Sequence, residues 1–315
     1  MKDNPKRGRE AEFPRRIPWN GWKDILLRVY NGFIEDKLTI AASGAAFFVF
    51  LSVIPMIIAT ISVYGIVSDP QQVHEHLTAI NAFIPNPIGE FLESEFVRIT
   101  DTSDFSLSWG FALSLVVAIY SVSVGMKSLI MALNIAYNES ESRSFLQLNA
   151  MGLLFALGTI FLIIIFLVFI MALPTIVEYF IASETIKSIA LIGRWILAAF
   201  LCIFSLGIVY RWGPKRSNAE WIWVTWGAFI STILLILASV LFSVYIQNFN
   251  AYNATYGSLA SAVIFMLWLY YTMLIILIGA KINAEMEHQT RIDTTTGKDR
   301  EMGERGAHVA DTLGR

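Results

Sequence analysis

The sequence predicts an all-α, polytopic membrane helix bundle with six transmembrane helices and both termini in the cytoplasm. Three observations lead there. Hydrophobic residues make up 56% of the 315-residue chain and charged residues only 15%, against roughly 25% charged in a soluble domain; mean hydropathy is +0.59. The apolar residues gather in runs of about 20 residues or more, enough to cross hydrocarbon as a helix. The run from Leu259 to Ala280, for example, carries no charge. Finally, lysine and arginine fall in alternate connections, which fixes an orientation.

The elements follow in order. Residues 1–20 are basic and broken by Pro5, Pro14 and Pro18, the composition of a disordered arm. From Trp19 to Asp36, the residues Trp22, Ile25, Leu26, Val29 and Phe33 share one helical face, with Lys23, Arg28 and Lys37 around it. Two tryptophans suit a headgroup boundary, so an interfacial helix is expected. The membrane domain covers residues 21–288.

Its first span, Leu38 to Val67, opens on small residues from Ala41 to Ala46, Ser43 among them, which let another helix backbone approach closely. Ser52 and Pro55 lie mid-span, and Pro55 removes a backbone hydrogen bond, so a kink is expected. Ser68 to Ser106 reads as two short amphipathic outer helices separated by Pro85 and Pro87. His74 and His76 there are alternate helical residues and point apart, which argues against a metal pair. Further spans are expected at 107–136, 149–176, 189–210, 221–246 and 256–285. Residues 289–315 are polar and nearly charge-balanced, the pattern of a disordered tail. The first 18 residues are polar and charged, so the first span is expected to act as its own targeting signal.

The arm is rich in lysine and arginine, the second connection has Arg143, the fourth has Arg211, Lys215 and Arg216, and the tail has Arg291, Lys298, Arg300, Arg305 and Arg315. The intervening segments offer only Arg98 and a boundary Lys187. Shifting any span would put a basic connection outside, so span count and charge support each other.

Polar groups in hydrocarbon are costly and each needs a reason. Tyr120, Ser123, Lys127 and Asn134 lie three, four and seven residues apart, on one stripe of the second span. They form either a seam lining a substrate path or a set of helix–helix bonds with Lys127 snorkelling to headgroups. Arg194, near the outer start of the fourth span, reaches headgroup phosphates or pairs with an acid. Lys281, Asn283 and Glu285 close the last span, and Lys281 and Glu285, four apart, can pair.

Phosphate-loop, zinc-protease and nucleophile-elbow motifs are absent from the sequence, and Cys202 is a lone cysteine. No enzymatic activity, cofactor or metal is therefore expected. The basic clusters around Arg15 and Lys215 stand where positive-inside charge belongs, and no nucleic-acid partner is inferred from them. The expected surroundings are the lipid bilayer, with envelope lipids or amphipathic solutes as candidate partners and a homo-oligomer left open.

Four stretches together resemble the YihY/BrkB family of bacterial inner-membrane proteins. They are Ala41 to Pro55 (AASGAAFFVFLSVIP), Leu133-Asn134 with Tyr137 and Arg143, Tyr210-Arg211 with Pro214, and Phe249 to Glu285. The last contains Tyr256-Gly257 and ends in Gly279-Ala280, Asn283 and Glu285. The resemblance covers most of residues 20–288 and implies an integral inner-membrane bundle. It also carries an old ribonuclease BN label and an association with virulence. The reading favoured at this level is movement of a lipid or other amphipathic envelope solute; the alternative is a non-transporting scaffold for an envelope complex, and a tRNA-processing ribonuclease ranks last.

Overall fold

A computed structural model describes residues 7–67, 109–180, 184–247 and 258–314. Its helices are α1 (Trp19–Glu35), α2 (Leu38–Val67), α3 (Trp109–Ala136), α4 (Phe145–Phe180), α5 (Glu184–Trp212), α6 (Trp221–Gln247), α7 (Ser258–Glu287) and the short α8 (His308–Asp311). Six of them, α2 to α7, are long and apolar enough to cross a membrane, over Leu38–Met56, Leu115–Ala136, Phe145–Phe166, Gly193–Trp212, Trp221–Tyr245 and Ala262–Glu287. The two outer amphipathic helices expected between 68 and 106, together with Tyr256 and Gly257, lie outside the described residues.

Local chemistry sets the boundaries. Pro18 precedes α1 in an extended conformation, which suits proline at a helix entry. Lys37 takes a left-handed φ of 53° between α1 and α2, a conformation that costs a side-chain-bearing residue about 1–2 kcal/mol. α2 runs unbroken through Pro55. α3 ends where Asn138, at φ 55°, supplies the left-handed turn that asparagine tolerates.

The chain forms two compact units, and α2, α3 and α5 each contribute a segment to both. One unit is 1–47, 128–144 and 199–315; the other is 48–127 and 145–198. In the first, α7 packs along α6 and against α1. Gly227 and Gly279 mark the closest approach of α6 and α7: a Cβ on Gly227 would strike the Gly279 carbonyl and Asn283, and one on Gly279 would strike Ser231 and the Tyr210 hydroxyl. Ile25, Trp223, Ile282 and Met286 form the core there, with Ala11 and Ile17 of the arm. In the second unit Ala59, Ala118 and Ile160 form a small apolar core with Met56 and Leu115 against it.

The disordered arm and tail expected from composition are not what residues 7–18 and 289–314 do. Pro14–Arg16 is a turn of 3₁₀ helix. Arg291 N–H donates to the Arg9 carbonyl at 2.8 Å, and Gly314 N–H to that of His288 at 2.9 Å. Thr295 forms an antiparallel bridge with Ala219. The physical reason is that these charges are not solvated. Arg305, 4% exposed, donates to the carbonyls of Arg291, Ile292, Arg300 and Ala310 at 2.6–3.2 Å. Composition alone reads such an arginine as a solvent group.

Candidate functional site

Every residue from Gly279 to Thr290 is buried, although the stretch contains Lys281, Asn283, Glu285, Glu287, His288 and Gln289. Buried polar groups require partners, and α7 finds them on every side. Near Ile276, the Tyr210 hydroxyl donates to the Ile276 carbonyl at 2.8 Å and lies 2.9 Å from Ser231 Oγ. One helical turn and more beyond, Asn283 Oδ1 accepts from Gly227 N–H at 2.8 Å and its Nδ2 donates to the Val224 carbonyl at 3.1 Å. Because glycine at 227 brings the two backbones together, an asparagine side chain can serve as a clasp between α6 and α7.

The charged layer follows. Lys281 Nζ lies 2.7 Å from Asp36 and 3.2 Å from Glu285; Gly32 leaves the space through which the lysine stem passes. Arg28 of α1 reaches Glu285 Oε2 at 2.7 Å, the Glu285 carbonyl at 3.1 Å and Gln289 Oε1 at 2.7 Å. Arg216 and Glu287 pair at 2.6 Å with side chains 1% and 0% exposed, and the Tyr137 ring lies under the guanidinium at 5.0 Å. Burial opposes charge on Arg216, but the Glu287 charge and hydrogen bond outweigh it and hold the guanidinium protonated. Burial also raises the Tyr137 phenol above its ordinary range, against the pull of Arg216. His288 Nε2 lies 2.8 Å from Thr312 Oγ1, which ties the tail to this layer.

Two connections close the same unit. Asn134 Oδ1 accepts from Lys215 N–H at 2.7 Å and Nδ2 donates to Glu141 at 2.9 Å. Arg143 pairs with Glu141 at 3.1 Å and donates to the carbonyls of Gly213 and Pro214 at 3.0 Å. The second and fourth connections are thus tied to each other by the residues that the sequence marks as positive-inside charge. Among the described residues Arg211 Nε and Nη1 have no hydrogen-bond partner; its guanidinium lies over the Trp212 and Trp221 rings.

In the other unit, the expected polar stripe resolves into local bonds. Lys127 Nζ donates to Asn149 Oδ1 at 2.6 Å and sits 5.3 Å from the Tyr120 ring. Ser123 Oγ donates to the Tyr120 carbonyl of its own helix at 2.6 Å. Ser52 Oγ shares its hydrogen between the Phe48 carbonyl at 2.7 Å and that of Ser121 at 3.0 Å, packed where Gly125 leaves room. Arg194 lies over the Trp195 ring at 5.4 Å. Ser43, in the first unit, donates to the Thr39 carbonyl of its own helix on an exposed face.

Lys281 and Glu285 therefore come together, Asn283 turns to α6 instead, and Lys127, Asn134 and Arg194 each serve a separate contact. Sequence reasoning missed Asp36, Glu287, Ser231 and Gly227 as partners. Only Gly227 left a trace, as a lone glycine in an apolar helix. The described residues also contain a groove of about 440 Å³ between α6 and α7, lined by Leu241, Phe242, Tyr245, Leu267, Trp268 and Tyr271.

The family model described as Virulence factor BrkB matches residues 29–304, which takes in all of this machinery except residues 7–28 and the last turns of the tail. The chain belongs to the BrkB family. The chain is also similar to ribonuclease-like protein YfkH of Bacillus subtilis (strain 168), 27% identical over 252 residues, 78% of this chain and 89% of that protein. A UPF0761 membrane protein of Aeromonas salmonicida (strain A449) is 27% identical over 265 residues, 81% of this chain and 86% of the relative. UPF0761 membrane protein IL2447 of Idiomarina loihiensis is 30% identical over 200 residues, 63% of this chain and 68% of the relative. No solved structure matches. With six apolar helices and bacterial membrane relatives, this BrkB-family chain is a multi-pass protein of the bacterial inner membrane.

Proposed function

We propose that this BrkB-family protein moves a lipid or another amphipathic envelope solute without enzymatic turnover, with both termini in the cytoplasm. The observation that carries this reading is the aromatic groove between α6 and α7, which lies within two membrane spans and is lined by apolar and amphipathic rings. Lys127, Asn134 and Glu285 are each consumed by a local partner. An amphipathic cargo is therefore handled at the hydrocarbon-facing surface, where its chains need no desolvation. Reconstitution in liposomes with fluorescent lipids tests this. Accelerated transbilayer movement is expected, slowed by Trp268→Ala; movement no faster than in empty vesicles overturns it.

The scaffold reading is favoured by a different observation, the folded arm and tail bound to the charged end of α7. A scaffold brings down a stoichiometric partner in mild detergent, and a transporter need not. The ribonuclease-like name of the Bacillus relative gains no support from the buried acids, since Glu285 and Glu287 are committed to Arg28, Lys281 and Arg216. Purified protein is expected to leave precursor tRNA intact with any divalent metal added.

A further inference from the structure

Arg211 differs from the paired arginines of its unit. Arg7, Arg28, Arg143 and Arg216 each hold a carboxylate, at 2.7, 2.7, 3.1 and 2.6 Å. Arg305 is saturated by backbone carbonyls. Arg211 has neither: its Nε and Nη1 are buried without a hydrogen-bond partner. Instead its guanidinium carbon lies 4.8 Å from the Trp221 ring centre and 5.3 Å from that of Trp212. The two indoles meet edge to face at 5.4 Å, and Phe204 stacks on Trp221 at 6.1 Å. Gly207 makes room for Trp221 in this arrangement.

The position of this cage gives it meaning. Trp212 ends one membrane span and Trp221 begins the next, so the guanidinium stands where hydrocarbon meets headgroups, the depth at which tryptophan is enriched. Both indoles remain partly open, 38% and 40% exposed. Guanidinium cannot shed its proton to escape the low dielectric. Ring faces offset part of the charge but leave its N–H donors unbonded. Glu220, the residue before Trp221, forms no ion pair with Arg211. A planar fork of donors that lacks an acceptor, at phosphate depth, matches the geometry of a phosphodiester.

We propose that Arg211, framed by Trp212 and Trp221, binds the phosphate of an anionic phospholipid headgroup. The indoles lie against the glycerol and upper acyl carbons, and Nη2, the nitrogen left unenclosed, makes the first contact. This site is independent of the transport reading, because a protein that moves nothing can still hold a structural lipid here.

The test is lipid retention by purified, delipidated protein, read by native mass spectrometry and by thermal unfolding. Phosphatidylglycerol is expected to bind and raise the unfolding temperature, phosphatidylcholine much less. Arg211→Gln loses about tenfold in phosphatidylglycerol retention, the scale of one charge-assisted hydrogen bond; Arg211→Lys keeps part of it. Equal retention by wild type and R211Q, or equal stabilisation by the two lipids, overturns the assignment. Stabilisation by inorganic phosphate as large as by lipid overturns the lipid as ligand. Should R211Q fail to fold, wild-type protein labelled with a headgroup-photoreactive phosphatidylglycerol decides: adducts on the segment 207–221 support the site, and adducts only elsewhere refute it.

Discussion

Arg216 Nη2 and Glu287 Oε2 lie 2.6 Å apart, with side chains 1% and 0% exposed. The pair joins the connection after α5 to the last turn of α7. Thr294 Oγ1 donates to the same carboxylate oxygen at 2.8 Å, which brings in the tail. Replacing one partner leaves an uncompensated buried charge. Glu287→Gln or Arg216→Met is therefore expected to destabilise by about 3–5 kcal/mol, and the double replacement by less than the sum. Thermal unfolding of the four variants in detergent measures the cycle; additive losses would show that the pair is not a unit.

The α6–α7 contact depends on the absence of two side chains. Gly279→Ala places a methyl group against Ser231 and Tyr210, and Gly227→Ala places one against the Gly279 carbonyl. Each is expected to cost about 1–3 kcal/mol through overpacking and to break the Asn283 clasp. Gly44→Ala is the control, since nothing lies within 4 Å of its added methyl. Retained stability in the Gly279 variant would mean that the helices are less closely apposed than found here.

Arg28 anchors α1 through Glu285 and Gln289. Its removal leaves Glu285 with Lys281 at 3.2 Å and His288 at 3.3 Å, so Arg28→Ala is expected to cost about 1–2 kcal/mol, less than the loss of Arg216. Hydrogen exchange of residues 19–35 should quicken while that of α7 holds. Uniform loosening of both helices would contradict a local anchor.

The tail is expected to release in acid. Burial alone would raise the Asp311 carboxyl, but backbone N–H groups of Arg305, Gly303, Gly306 and Ala307 outweigh it and hold it below the ordinary range. Asp293 is lowered in the same way, its burial outweighed by Thr295, Arg300 and Arg305. A carboxyl lowered in the folded state stabilises above its unfolded pKa, near 3.9, and that stability is lost as pH falls through the folded value. Glu139 works in the opposite sense, because burial raises it and protonation relieves its cost. Glu220 is likewise raised, by burial and by Asp293 and Asp299. Asp311 and Asp293 are the carboxylates whose hydrogen bonds fold the tail, so proteolysis of residues 291–314 should increase below about pH 4, and Asp311→Asn should bring that sensitivity to neutral pH. A tail equally protected at both pH values would refute the role of these carboxylates.

The amino-acid order by itself determined the membrane class, the six spans and most of their limits. Apolar runs from Leu38, Trp221 and Ala262 leave the backbone no solvent for its amides except its own helix, and that requirement is written locally. It also marked Lys127, Asn134, Arg194, Lys281, Asn283 and Glu285 as residues needing a reason. Only the tertiary structure decided what the reason was. Whether Arg216 faces headgroups or Glu287 depends on 70 residues of intervening chain folding back on it, and whether residues 288–314 are loose or bound depends on carbonyls that α7 and the arm present. Charge pairing across such distances is a property of shape, and a linear pattern carries the charges without their partners.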